Sequence, residues 1–314
     1  MTIQIANNQI EILEIQSYKN LKIVPLSVEN SFKEDILTLK KGFEMGLVTI
    51  KECENTTVSQ VTVVNNAVTP LLLVDGEEIL GAKQNRIISG TVLIPAKTTQ
   101  NIDVCCSEAG RWAFKEEKNI FSCADNIAPA SIRGNMNYAK YEDTKNHQVF
   151  KSDIQQGVWK DISKLEKEMD FKSETSALSE NYANNQEKLE NYLEHFKRLD
   201  NQSGLIAILN DEIIGCEILV KPHIYKDYHE NFLRSYIIEA LTKKEEPSSI
   251  LFTEEYIREF LESLTSSDTS ETQDSVSLGK TLILKNSNYN GRSRVYKDFN
   301  IHTSFFKNPA SAKI

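Results

Sequence analysis

Along residues 15–125 apolar positions alternate with polar ones or gather in short runs, whereas beyond residue 126 they mostly recur at helical spacing. Leu21-Lys22-Ile23-Val24-Pro25-Leu26 reads as a short opening strand, and residues 38–47 as a short helix that Gly46 stops. Val48-Thr49-Ile50 continues extended, and Val58-Ser59-Gln60-Val61-Thr62-Val63-Val64 has the period of two of a half-buried strand. Asn65-Asn66 supplies a turn, because Asn tolerates positive φ. Pro70 precedes the apolar run 71–74, and Asp75-Gly76 signals a tight turn. Strands are also expected at 90–94 and 101–107, joined through Pro95-Ala96-Lys97-Thr98-Thr99. Several short strands with regular turns suggest a sandwich or a partial barrel.

The later rhythm is different. Residues 125–150 carry few apolar residues and many Asn, Lys and Tyr, and read as a long loop. Val158, Ile162, Leu165 and Met169 share one helical face. Leu189, Leu193 and Phe196 make a second, with Tyr192 beside them, and Phe232, Leu233, Tyr236, Ile237, Ala240 and Leu241 a third. Thr253 reads as the N-cap of a fourth helix, with Glu254 and Glu255 in its first turn and Tyr256, Phe260 and Leu264 on its apolar face. Two β-rich runs, 205–209 and 212–220, flank Asn210-Asp211 as a hairpin. Residues 265–277 are Ser/Thr/Asp/Glu-rich and read as a mobile loop, and strands return near 280–284 and 301–306. The expected fold class is α+β. An N-terminal antiparallel, sandwich-like sheet region (15–125) precedes a helical and hairpin region (126–314) packed against it, with about four helices and C-terminal strands.

Composition narrows the function classes. The 314 residues suffice for one large or two modest domains. A net charge of -9 argues against a sequence-independent grip on nucleic acid, while a local basic pocket for a small anionic ligand stays open. No apolar run approaches the roughly 20 residues of a membrane span, and the N-terminus lacks the pattern of a signal peptide. The 5 cysteines form no Cys-x-x-Cys pair, so neither a disulfide framework nor a structural zinc site is expected, and a reducing cytoplasm fits. There is no P-loop, Gly-x-Gly-x-x-Gly, Gly-x-Ser-x-Gly or His-Glu-x-x-His. No cofactor is named by these features, and whether the protein is an enzyme stays open.

The densest chemistry is Asp75-Gly76-Glu77-Glu78-Ile79-Leu80-Gly81-Ala82-Lys83-Gln84-Asn85-Arg86. If Asp75-Gly76 turns the chain, Glu77 and Glu78 start a returning strand and point to opposite faces. Lys83 to Arg86 alternate likewise. An inward carboxylate would pair with Lys83 or Arg86, or serve as a general acid/base if burial moves its pKa. The alternative is a hairpin end of solvated charges. In Cys105-Cys106-Ser107-Glu108-Ala109-Gly110-Arg111-Trp112, Cys106 shares a strand face with Ile102 and Val104, which suits a small buried residue better than a nucleophile. Glu108 and Arg111 flank Gly110, where backbone can approach a ligand, or else they form a pair covering the Trp112 indole. Arg133 beside Gly134 offers an anion contact in the expected loop. His223 and His229 lack the i, i+4 spacing of helical metal ligands, so no metal site is expected.

These two motifs resemble the hallmark segments of the ARPP-1 family, a domain associated with ADP-ribosylglycohydrolases and rhodanese/phosphatase-superfamily proteins. Pro129-Ala130-Ser131-Ile132-Arg133, Gln156-Gly157-Val158-Trp159, Ala177-Leu178-Ser179 and the hairpin 204–219 match as well. The resemblance spans residues 20–245. The motif positions it marks are Asp75, Gly76, Glu77, Gly81, Lys83, Gln84, Asn85, Arg86, Cys106, Glu108, Gly110, Arg111 and Trp112. Ala109 departs from the family pattern, which tends to Gln there. The resemblance implies a setting near NAD, ADP-ribose or nucleotide chemistry, in defence or stress. It implies a polar pocket with Glu77 and Glu108 as the acids. Lys83, Arg86 and Arg111 would be its anion contacts, with Gln84 and Asn85 beside them and Trp112 stacking on a base or covering the pocket. The competing reading is a structural or interaction module, in which the motifs are internal polar networks and a protein partner or a second copy binds elsewhere.

Overall fold

The computed structural model describes residues 2–5, 8–54, 58–114, 119–146, 151–246, 254–273 and 275–309. The expected N-cap Thr253 lies outside them. The chain divides into two compact units: residues 1–33, 188–273 and 279–314 form the first, and residues 34–187 and 274–278 the second.

The first unit opens with strands β1 (Thr2–Ile5), β2 (Asn8–Ile12), β3 (Gln16–Tyr18) and β4 (Leu21–Glu29). The second unit holds β5 (Leu37–Thr38), α1 (Leu39–Glu44), β6 (Val48–Glu52), β7 (Gln60–Asn65), β8 (Leu71–Leu73), β9 (Glu77–Gly81), β10 (Arg86–Ile88), β11 (Val92–Ile94), β12 (Thr98–Cys106), β13 (Ile120–Ile127), α2 (Ala130–Asn146), α3 (Lys151–Glu168) and α4 (Leu178–Asn184). After α5 (Gln186–Leu193) the first unit resumes with β14 (Gln202–Leu209), β15 (Glu212–Leu219), α6 (Pro222–Ala240), α7 (Glu254–Thr265), β16 (Asp268–Thr272), β17 (Lys280–Lys285), β18 (Tyr289–Tyr296) and β19 (Phe299–Lys307). The α+β class is as expected. The expected boundary between residues 125 and 126 falls inside β13, because apolar rhythm reports element type and not which strands share a core.

In the first unit a 10-stranded sheet runs β1-β2-β4-β14-β15-β19-β18-β17-β16, with β3 paired to β4. Its pairings are antiparallel. The expected hairpin joins β14 to β15, with Asn210 and Asp211 both at positive φ, the geometry of a two-residue turn. Ile257, Phe260, Leu261 and Leu264 of α7 pack with Val24, Leu26, Ile206 and Ile218 in one apolar cluster. The segment expected as a mobile loop contains β16, paired with β17. An edge strand that stays partly in water needs no apolar face, so its Ser/Thr-rich sequence hid it.

In the second unit β10-β12-β7-β6-β13-β9 close into an antiparallel barrel. Ile50, Val61, Val63, Ile79, Ile88, Ile102, Val104 and Phe121 fall into one buried cluster. A smaller three-stranded sheet, β11-β8-β5, lies in the same unit. Asp75-Gly76 therefore does not close a hairpin. It turns the chain from β8, which pairs with β11 and β5, to β9, which pairs with β10 and β13. The real hairpin joins β9 to β10, and Lys83, Gln84 and Asn85 form its connection rather than strand.

The expected loop 125–150 is corrected by the end of β13 and by α2. The buried side of this helix includes Ile132, Arg133, Met136, Asn137 and Tyr141. Two of its core positions are thus polar, which broke the apolar stripe in sequence. In the same unit α3 packs on α2 and β12, and α4 on β13.

Candidate functional site

The motif residues gather at the β9–β10 connection and the chain just after β12, where they sort into separate polar clusters. The first is built on Glu108 and Arg111. Arg111 Nε donates to Glu108 Oε1 at 2.9 Å and Nη2 to Oε2 at 2.6 Å, a bidentate pair. Nη1 also reaches the carbonyls of Ala82 and Ala113, each at 2.7 Å, and Nη2 meets Gly81 O and Asn85 Oδ1. Glu108 further accepts the Asn85 N–H at 3.1 Å and the Thr175 hydroxyl at 2.9 Å. Burial alone would raise the Glu108 carboxyl, but the bonds from Arg111, Asn85 and Thr175 hold it below the usual carboxylate value. Every N–H of the Arg111 guanidinium has an acceptor in the protein, so this cluster ties loop 81–85 to loop 107–113.

The second cluster is Asp75 with Arg133. Arg133 Nε and Nη2 each donate to the Asp75 carboxylate at 3.1 Å, and Thr91 Oγ1 donates to Asp75 Oδ1 at 3.2 Å. Gly76 is required here. Its φ is +81°, and a Cβ would stand 2.6 Å from Arg133 Cδ. Glu77 accepts the Val74 N–H at 2.7 Å. Arg133, read from sequence as either an anion contact or a solvated side chain of a loop, meets this buried carboxylate from α2 instead.

The third cluster differs from both. Register pairs Arg86 with Ile79 and with Cys106, so these three side chains share the face of the barrel's apolar cluster. Arg86 is 0% exposed. Its Nη1 donates to Gln84 O, Gln84 Oε1 and Asn85 O at 3.1 to 3.3 Å. Glu52 Oε1 stands 3.5 Å from Nη2, and neither Nη2 nor Nε has a hydrogen-bond partner among the described residues. Cys106 is fully buried, as expected of a core thiol, and burial pushes it up to about 11. Its backbone is gripped by Gln155 of α3, which accepts the Cys106 N–H at 2.6 Å and donates to its carbonyl at 2.9 Å.

Glu52 Oε1 also accepts the Lys83 N–H at 3.4 Å, linking Arg86 to the outer layer. Lys83 Nζ lies 5.3 Å from the Trp112 ring centroid and 5.6 Å from that of Phe114. Trp112 is 56% exposed, so the Glu108–Arg111 pair does not cover its indole.

Sequence reasoning weighed Glu78 only as one of two alternating acids. Both acids are buried, because this strand is covered on each face. Glu78 Oε1 accepts the Ser107 hydroxyl at 2.8 Å, and Oε2 has no hydrogen-bond partner among the described residues. Burial raises its carboxyl from 4.5 to about 8. The signal that would have singled it out is the apolar Ile79-Leu80 beside it, the mark of a strand buried on both faces. His229, weighed as a metal ligand, contacts the Tyr225 hydroxyl through Nδ1 at 3.1 Å, and burial lowers it to about 4.

Comparison with known proteins gives one family. The profile of the ARPP-1 domain, described as ARG and Rhodanese-Phosphatase-superfamily-associated Protein domain, matches residues 9–306. The match covers nearly the whole chain, and the chain belongs to this family. No curated protein and no solved structure matches it.

Proposed function

We propose that this ARPP-1 protein binds a small phosphate-bearing ligand of the nucleotide class, such as NAD or ADP-ribose, at the Arg86–Lys83–Trp112 end of the barrel. One observation carries the reading: a wholly buried guanidinium with two nitrogens that lack hydrogen-bond partners among the described residues and a carboxylate at 3.5 Å. A buried donor without an acceptor costs on the order of 1–3 kcal/mol, which an incoming anion recovers. Lys83 adds a second cation on the connection that leads into Arg86, its Nζ lying 5.3 Å from the Trp112 ring centroid. Trp112 and Phe114 offer aromatic faces for a base. The family's association with ADP-ribosylglycohydrolases points to the same ligand class, and a defence or stress setting fits it. No helix among the described residues is long and apolar enough to cross a membrane, and the free cysteines suit a reducing cytoplasm.

A second reading has its own observation. Glu108 and Arg111, expected as acid and anion contact, are saturated by each other and by backbone. On that reading the whole motif is scaffold, and a protein partner or second copy supplies the function. Thermal-shift measurement against NAD, ADP-ribose and nucleotides separates the two. A ligand of the native state at 100 times its Kd stabilises by about 2.7 kcal/mol. The shift is expected to weaken in Lys83→Ala and Trp112→Ala, whose side chains are not core. A panel without any shift favours the scaffold reading.

A further inference from the structure

We infer that residues 173–179 are a strap over the motif loops that opens when Glu78 gives up its proton. The inference concerns the motif's own stability and does not depend on the ligand reading. Thr175 O accepts the N–H groups of Ala109 at 3.1 Å and Gly110 at 2.7 Å. Leu178 N–H donates to Ser107 O at 2.9 Å, Glu108 bridges Ala177 in antiparallel fashion, and Asn85 Nδ2 donates to Ser179 Oγ at 3.2 Å. The fit is close, since a Cβ on Gly110 would stand 2.9 Å from Thr175 Cα. The strap thus docks like a short extra strand, and it has no covalent tie.

Glu78 sits by this contact at 0% exposure, and its Oε1 accepts the hydroxyl of Ser107, whose carbonyl also holds the strap. The Ser179 backbone N–H faces it from the start of α4. The charged side chain that bears on it is Glu108, already paired with Arg111. Arg86 is one register position away and points to the opposite face of the sheet. On the strap side Glu174 and Lys172 are exposed, and Glu180 and Lys172 bear on Glu166 of α3 with opposite signs, so the charge there is mixed. Among the described residues an ionised Glu78 has only the Ser107 hydroxyl and the Ser179 N–H to hold it while the strap is closed, whereas water would solvate it once the strap lifts.

The sign follows from the raised carboxyl. In an open strap Glu78 ionises near its ordinary 4.5; closed, it keeps its proton to about 8. Opening therefore gains population as pH rises between those values and levels off above the upper one. Ionisation gives the proton to water and breaks no other bond.

Amide hydrogen exchange on the full chain tests this at Ala109, Gly110 and Leu178. After correction for intrinsic rates, exchange is expected to quicken up to about tenfold per pH unit between about pH 5.5 and 7.5, and to stay flat in Glu78→Gln. A flat wild type, or a variant that follows the wild type, overturns the inference. Should Glu78→Gln not fold, infrared spectra of the wild type decide. A neutral-carboxyl band at about pH 6 that is gone by about pH 9 supports the strap, and ionised carboxylates alone at about pH 6 refute it.

Discussion

Arg111, half-buried, and Arg86, wholly buried, each stand beside a glutamate in the same unit, yet their surroundings differ in kind. Arg111 fills all its donors, with a bidentate carboxylate at 2.6 and 2.9 Å and carbonyls on its remaining edges. Arg86 is more deeply buried and leaves Nε and Nη2 without acceptors among the described residues. A saturated cluster stabilises its own fold, whereas a buried donor left short carries a standing cost that a binding partner can relieve. The difference shows that membership of one dense motif does not give its arginines one environment.

The strongest way to break the comparison is Glu108→Ala. It leaves the Arg111 guanidinium facing no carboxylate and frees the Asn85 N–H and Thr175 hydroxyl. Denaturant unfolding is expected to show a loss of about 3–5 kcal/mol. A loss below about 1 kcal/mol would mean that the cluster is not scaffold. Next comes Glu78→Gln, which removes the buried acid while keeping its shape. The wild-type carboxyl is raised, so its destabilising contribution is absent below about pH 4 and grows as pH rises toward about 8. The variant is therefore expected to gain on the wild type by up to a few kcal/mol near neutrality and to match it in acid. Equal curves across pH would contradict the raised carboxyl.

Gly76→Ala probes the second saturated pair, Asp75–Arg133. Positive φ and the 2.6 Å approach to Arg133 Cδ predict a loss of about 2 kcal/mol in unfolding experiments. The paired substitution Arg86→Met with Glu52→Leu sharpens the contrast from the other side. Removing both charges of an imperfect buried pair is expected to leave stability within about 1 kcal/mol of the wild type or to raise it, while ligand binding is lost. A loss as large as that of Glu108→Ala would make Arg86 scaffold too. Lys83→Ala has the smallest expected effect, about 0.5 kcal/mol in stability from its exposed aromatic contacts.

Local features of the fold were legible in the chain. Alternation placed β4, β6, β7 and β12, Asn210-Asp211 placed the β14–β15 hairpin, and apolar stripes placed α3, α5, α6 and α7. What escaped was non-local. Barrel closure rests on β9 pairing with β13, some forty positions apart, and nothing in either strand names its partner. The helix α2 hid because Arg133 and Asn137 occupy its buried side. At the site the motif residues were recognisable as a group, but not which arginine would be saturated. That depended on carbonyls of Gly81, Ala82 and Ala113, and backbone acceptors are the same in every residue type.

The central claim is that Arg86 and Lys83 await an anion. Isothermal titration with ADP-ribose, NAD and nucleotides, on the wild type and on Lys83→Ala, tests it most directly. The account predicts saturable binding by the phosphate-bearing ligands, at least several-fold weaker in the variant. No heat with any of them, or affinities that ignore Lys83, would contradict it.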